Sequence, residues 1–335
     1  MKILALSGWF PIPPDNGARM RVHYLLHELG CRHQVDLVSF VHPEEHPEQM
    51  SREHPWRLIG TAAHKPFQPQ GVHGVLGLLS SQPRSVKETF SPQMASLVER
   101  AIRETRYDLA LAFEVGPGGS TAHYVPAAAT LPVVIEDLEL AMIYSAIAAQ
   151  EGAARQLRQR LTWWKTQRYA AYLLHRAAAY TTCSESEREL VARCAPRDMP
   201  LAVVPNGISM SRYEGDWGPQ EPDTLVFPGA LTYQANYDAM RFFLEESYPR
   251  IRAERPNTML RITGRTAGVD LRRLRLDASV EFTGYVEDVR PVIARSAVCI
   301  VPLTWGGGTR LKVLEALALG APVVATTIGA QGIAV

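Results

Sequence analysis

Short apolar runs rich in β-branched residues alternate with longer stretches of helical periodicity from one end of the chain to the other. That alternation marks βαβ units, whose parallel strands are covered on both faces and therefore read as nearly unbroken hydrophobic runs. In the first half it predicts strands over Lys2 to Ser7, Gln34 to Phe40, Leu109 to Glu114, Pro132 to Asp137, Ala178 to Cys183 and Leu201 to Pro205. Between the first two, Asn16 to Leu29 carries Met20, Tyr24 and Leu25 at helical spacing. Val41 to about Arg84 is rich in Pro, His, Gln and Gly, with weak periodicity, and reads as a surface excursion.

Asn206 to Asp223, with Gly207, Gly215, Gly218, Pro219 and Pro222, breaks every period and reads as a linker. A second series follows, with strands over Leu225 to Gly229, Met259 to Gly264, Val280 to Gly284, Ala297 to Leu303 and Pro322 to Thr327, and a largely helical stretch from Asn236 to Ala253. The expected organisation is a Rossmann-like domain over 1–205, a linker over 206–223 and a second Rossmann-like domain over 224–335. The second ends on Ile328 to Val335 with no closing helix, so an incomplete domain is expected there.

The chain has 335 residues, which suits two domains with a cleft between them. With 35 Lys and Arg against 34 Asp and Glu, the net charge of +1 gives no global field for collecting nucleic acid, so any anion site is local. Cys31, Cys183, Cys194 and Cys299 are widely spaced, without metal-ligand spacing, which argues against a zinc site or a disulfide framework and for a reducing cytoplasm. No apolar stretch approaches the roughly 18 residues needed to span a bilayer.

The strongest local signal is the strand Val298 to Leu303, followed by Gly306, Gly307 and Gly308 and a helix over Thr309 to Leu319. Glycines admit a ligand close to the backbone, and free amides at a helix N-terminus attract phosphate. Arg310 and Lys312 fall in the first turn, where the macrodipole disfavours cations unless an anion is bound. Solvent-facing side chains on a plain turn are the alternative. Glu315 shares a helical face with Leu311 and Ala318, so its carboxylate needs a ligand hydroxyl or an internal arginine.

This segment, Gly-Gly-Gly-Thr-Arg-Leu-Lys-Val-Leu-Glu-Ala-Leu-Ala-Leu-Gly-Ala-Pro-Val-Val-Ala-Thr, resembles the donor-site segment of family 4 retaining glycosyltransferases. Further likenesses occur in order: Asn16-Gly17-Ala18-Arg19 resembles the N-terminal glycine loop, Cys183 to Glu187 a strand end, Val203 to Ile208 the linker entry, Phe227 to Ala230 the first donor-domain turn, and Phe282 to Val286 the base-binding loop. The resemblance implies a GT-B fold, two Rossmann-like domains with parallel sheets facing a central cleft. It also implies a nucleotide-sugar donor, a hydroxyl acceptor and no metal or other cofactor. By the same resemblance, Gly307, Gly308 and Thr309 with Arg310 and Lys312 hold the diphosphate, Glu315 bonds ribose, Tyr285 and Val286 flank the base, and Gly17 allows closure on the donor. Arg265 is a candidate second phosphate contact, because guanidinium pairs bidentately with phosphate oxygens. Arg19 and Glu139 are candidates on the acceptor side.

Two departures stand out. The family's paired glutamates, seven residues apart, require a Glu where this chain has Gly307, so only Glu315 remains. The turn Gly229 to Gln234 lacks the Arg and Lys that many members carry, leaving Arg265, Arg310 and Lys312 to substitute. The expected activity is retaining transfer of a hexose from a UDP- or GDP-sugar to a hydroxyl of a glycan, glycolipid or natural product. The alternatives are a non-catalytic nucleotide-sugar-binding scaffold and a GT-B-like epimerase.

Glu136, Asp137 and Glu139 cluster after an apolar strand, where they serve an acceptor or, for Asp137, a helix cap. His123 reads as structural. From 155 to 176, Arg155, Arg158, Arg160, Lys165, Arg168 and Arg176 accompany Trp163 and Trp164, with no acid between Glu151 and Glu185. That composition suits weak peripheral contact with the inner face of an anionic membrane, or a helix packed between elements.

Overall fold

The computed structural model describes residues 1–14, 16–43, 45–47, 54–67, 80–116, 119–148, 152–306 and 309–333. The chain divides into two compact units, Met1–Pro205 and Asn206–Val335.

The first unit is built on β1 (Lys2–Ser7), α1 (Gly17–Gly30), β2 (Gln34–Val41), β3 (Arg57–Ala63), α2 (Arg84–Glu88), α3 (Pro92–Glu104), β4 (Leu109–Gly116), β5 (Gly119–Ser120), β6 (Val133–Glu136), α4 (Leu140–Ala148), α5 (Ala153–Leu174), β7 (Ala179–Thr182), α6 (Glu185–Ala192) and β8 (Leu201–Val203). The parallel strands run in the order β3-β2-β1-β4-β6-β7-β8, and β5 pairs with β4 antiparallel. The apolar run of β1 is explained by its two covered faces. Ile3 and Ala5 pack with Val22 and Leu26 of α1, whereas Leu4 and Leu6 pack with Met94 and Val98 of α3.

β3 lies inside the stretch expected to be a surface excursion, and it corrects that reading. Its sequence Arg-Leu-Ile-Gly-Thr-Ala-Ala has little β-branching, but it pairs with β2 from Asp36↔Arg57 to Val41↔Ala63. Arg57 holds the buried Asp36 through two bonds of 2.9 Å, and Tyr107 donates to the same carboxylate at 2.8 Å. A Cβ on Gly60 would come 2.9 Å from Leu97, so glycine there lets α3 lie close on the strand.

The second unit contains β9 (Glu221–Pro228), α7 (Gln234–Phe242), α8 (Tyr248–Glu254), β10 (Met259–Thr263), β11 (Val280–Gly284), α9 (Arg290–Arg295), β12 (Ser296–Val301), α10 (Leu311–Ala318) and β13 (Val323–Ala325). A π-helical turn, Phe243–Ser247, joins α7 to α8. The parallel order is β11-β10-β9-β12-β13. β9 begins within the expected linker, because Glu221 is held by Arg261 and Arg295 at 2.6 Å each and pairs in register with Ser296. Phe227 faces Met240, Leu244 and Leu260, while Val226 faces Ala239, Val313 and Ala316 on the opposite side. No helix among the described residues is long and apolar enough to cross a membrane.

Candidate functional site

In the second unit, the direction in which successive strands are added reverses between β9 and β12, and the loops leaving these neighbouring strands lie where open parallel sheets bind ligands. β9 delivers the turn from Gly229 to Tyr233, which contains no cation. Its place is taken from α10: a Cβ on Gly229 would stand 2.8 Å from Lys312 Nζ. That amine donates to Asn236 Oδ1 at 3.1 Å and lies 4.3 Å from the centre of the Phe227 ring. Asn236 in turn donates through Nδ2 to Ala230 O at 2.9 Å, so one side chain fixes both the turn and the lysine. No salt bridge to Lys312 occurs among the described residues. Burial pushes the amine down to about 8 from its ordinary value near 10.5.

β12 delivers the glycine-bearing loop. Trp305 donates from Nε1 to Asp238 Oδ2 at 3.0 Å, pinning the start of the loop to α7. Gly306 adopts φ 128°, and a Cβ there would come 3.3 Å from Arg310 Nη1. Arg310 is only 7 % exposed and donates from Nε to Ile328 O at 3.2 Å. Gly307 and Gly308 lie outside the described residues; Thr309 is half-buried. The helix starts at Leu311 rather than Thr309, because Arg310 sits at its cap with a non-helical ψ of 77°. Arg310 thus precedes the first turn and Lys312 lies within it.

The neighbouring strands add the remaining predicted residues. Gly264 ends β10 at φ 94°, and a Cβ there would meet the Ala230 backbone at 2.7 Å. Arg265 stacks its guanidinium over Tyr285, 5.3 Å from the ring centre, and Tyr285 is 53 % exposed, with Val286 half-buried beside it. Glu315 Oε1 accepts from Tyr213 Oη at 2.9 Å, and Oε2 has no hydrogen-bond partner among the described residues. Burial raises that carboxyl, while the Tyr213 bond and the charges of Lys312, Arg212 and Arg290 oppose the rise. Of the two alternatives for Glu315, the internal arginine is not the one found: its hydrogen bond is to a tyrosine, and Arg212 and Arg290 act only through their field. Sequence reading missed the parts of Phe227, Tyr213 and Trp305; no local spacing announces contacts 102 or 67 residues apart.

In the first unit the corresponding reversal lies between β1 and β4. Trp9, just after β1, donates to Glu114 Oε1 near the end of β4 at 2.6 Å and stacks with His42 at 5.5 Å. Gly17 is the exposed first residue of α1, after Asn16, whose side chain accepts from the Arg19 amide. Arg19 is ion-paired with Glu45, and Arg21 bonds Glu136 at 2.5 Å, so both guanidiniums are neutralised. Glu139 is half-buried with a left-handed φ of 53°, and its carboxylate accepts no hydrogen bond from a described residue. Glu114 beside it, then burial, then Asp137 and Glu187 hold Glu139 well above the usual carboxylate range. Asp137 does not cap α4. Glu187 does, accepting from the amides of Leu140 at 2.8 Å and Ala141 at 2.6 Å, while Asp137 Oδ1 accepts from Glu139 N. His123 sits between Phe90 and Tyr124 as a structural ring.

Residues 15–212 match the model of Glycosyltransferase Family 4, and residues 222–334 that of Glycosyl transferases group 1. Over 178 residues, 49 % of this chain, the sequence is 27 % identical to glycogen synthase of Mycobacterium tuberculosis, covering 41 % of that protein. The chain therefore spans about two fifths of the length of the curated relatives it matches. Among solved structures, HepE of Anabaena in complex with UDP and glucose superposes with a TM-score of 0.62 at 18 % identity, over 99 % of this chain and 82 % of that one. Sucrose-phosphate synthase of Thermosynechococcus elongatus gives 0.68 at 16 % identity, over 98 % and 82 %. These likenesses identify the fold as GT-B, two Rossmann-like units in one chain.

Proposed function

The chain belongs to glycosyltransferase family 4, and we propose that it moves a hexose, with retention, from a UDP- or GDP-linked donor to a hydroxyl of a glycan, glycolipid or natural product. The observation that carries the reading is Lys312, a part-buried amine over Gly229 with an amide and an aromatic ring as neighbours in place of a carboxylate. Such a group gains most from an anion that binds beside it. HepE, solved with UDP, supports a uridine nucleotide among the possible donors.

In this reading the donor diphosphate lies across the ends of β9 and β12. Lys312 and Arg310 face its oxygens. The Arg265 and Tyr285 pair offers a flat face for the base, flanked by Val286, and Glu315 Oε2 accepts from ribose hydroxyls. As the bond from the anomeric carbon to the diphosphate breaks, fixed cations stabilise the leaving charge while an oxocarbenium-like centre forms. Charge stabilisation rests on side chains and amides, without a metal, and the reaction takes place in the cytoplasm. The acceptor hydroxyl is held by the carboxylate-lined edge of the first unit, around Glu139.

Calorimetry with UDP and GDP tests the reading: Arg310→Ala combined with Lys312→Ala is expected to abolish measurable binding, and unchanged affinity would overturn the diphosphate assignment. Release of UDP or GDP from a panel of nucleotide sugars by the wild-type chain then separates a transferase from a protein that only binds.

A further inference from the structure

α5 is a helix of 22 residues, about 33 Å long, with two unlike faces. Thr166, Tyr169, Ala170, Leu173 and Leu174 are buried, and Trp163 turns to Tyr144 of α4 at 5.4 Å. The opposite face carries Leu157, Arg160, Trp164, Arg168 and Tyr172 at spacings of 3, 4, 4 and 4 residues, which is one stripe along the helix. Leu157 is 71 % exposed, Trp164 49 % and Tyr172 47 %, and both arginines are exposed.

The two tryptophans, roughly 100° apart at helical spacing, thus divide between a packing role and a surface role. The cations are tied to the exposed rings. The Arg168 guanidinium lies 5.0 Å from the centre of Trp164, and that of Arg176 lies 5.2 Å from the centre of Tyr172. No acidic residue occurs from 152 to 184, and α4, packed beside α5, has no charged residue at all. With a net charge of only +1 on the chain, this is a local concentration of positive charge rather than a share of a global excess.

Arg176 also lines a cavity of about 210 Å³ whose walls include Ala122, Val125, Leu131, Val133 and Leu173. Phosphate recognition by nucleic acid would account for the arginines but not for a leucine at 71 % exposure. A bilayer accounts for both, because headgroup phosphates pair with arginine while Trp, Tyr and Leu enter the boundary with the acyl chains. We propose that the exposed face of α5 docks the protein on an anionic lipid bilayer. The inference is independent of the donor reading, since its residues all belong to the first unit.

Sedimentation of the full chain with vesicles tests it. Binding is expected to vesicles of phosphatidylcholine with added phosphatidylglycerol and not to phosphatidylcholine alone, and to weaken with salt. Arg160→Glu with Arg168→Glu should reduce partitioning about tenfold or more. Trp164→Ala should reduce it at low and high salt alike. Arg100→Glu with Arg103→Glu, an equal charge change on α3, should leave it in place. Unchanged UDP affinity and unchanged melting in the α5 variants would confirm that the donor site and the fold are intact. Failure of the wild-type chain to sediment with anionic vesicles, equal loss in the α3 control, or retention of a single-stranded RNA in place of vesicles would each overturn the proposal.

Discussion

The carboxyl edges of the two sheets share a topology and differ in chemistry. In each, the direction in which successive strands are added reverses between two neighbouring parallel strands, β1 and β4 in the first unit and β9 and β12 in the second. At the second edge the converging groups are glycines and cations: Gly229 beneath Lys312, Gly306 beside Arg310, and Arg265 on the next strand end. At the first edge they are carboxylates and rings: Glu114 with Trp9, then Asp137 and Glu139, while Arg19 and Arg21 are already paired with Glu45 and Glu136. The pKa directions follow the same division. Burial drives the lysine of the second edge down, and neighbouring carboxylates with burial drive the glutamate of the first edge up. The second edge gathers cations that suit a phosphate, whereas at the first the arginines are already paired and Glu139 is held toward its neutral form. Topology places a site, and side chains select its ligand.

The largest effect expected from disturbing one edge alone is at Gly264. Alanine there meets the Ala230 backbone at 2.7 Å and must keep φ 94°, so Gly264→Ala should destabilise the second unit by about 2–5 kcal/mol. Urea unfolding should show the loss in that unit, with UDP binding weakened by displacement of the 230 turn. Loss confined to the first unit would break the comparison.

A smaller effect comes from titrating Lys312. Its folded value of about 8 lies below 10.5, so between these values the unfolded chain binds more protons and stability rises with pH. Diphosphate binding runs the other way. The anion favours the ammonium and raises its pKa, so affinity should be constant well below pH 8 and fall about tenfold per pH unit above it, with proton uptake near pH 8. Calorimetry in buffers of different ionisation enthalpy measures that uptake. Affinity independent of pH from 7 to 9.5 would remove Lys312 from the site.

How much of this was legible in the sequence depended on whether the signal was local. β1 and β12 were legible because a parallel strand covered on both faces must be apolar throughout. The helix that carries Lys312 and Glu315 was legible as an element because helical periodicity and the Gly320 and Pro322 that end it act over a few residues. β3 was not, since its place is set by Arg57 reaching Asp36 and by Gly60 admitting Leu97, contacts that no periodicity encodes. Asp137, the nearest acid, is by sequence one candidate cap for α4 beside an acceptor role, but the group that reaches the amides is Glu187, more than 40 residues away. That Lys312 fills the turn after β9 was not legible, since it depends on Gly229 having no side chain.

The smallest effect sharpens the first edge. A glutamate whose folded pKa is raised holds its proton where the unfolded chain has released it. Its contribution is therefore complete below the ordinary value near 4.5 and is lost as pH rises through the folded value. Because the Glu139 carboxylate accepts no hydrogen bond among the described residues, glutamine keeps its shape and neutral form without losing a bonded partner. Glu139→Gln should thus leave the melting temperature unchanged near pH 4 and raise it by about 2–4 °C at pH 8. Glu187, itself raised to about 7, is one of the carboxylates whose charge raises Glu139, so removing the Glu139 charge relieves both and adds to the difference at pH 8. A lower melting temperature for Glu139→Gln at pH 8 would mean that the ionised carboxylate is stabilised by a cation, and the first edge would then be a site for positive charge instead of a neutral hydroxyl.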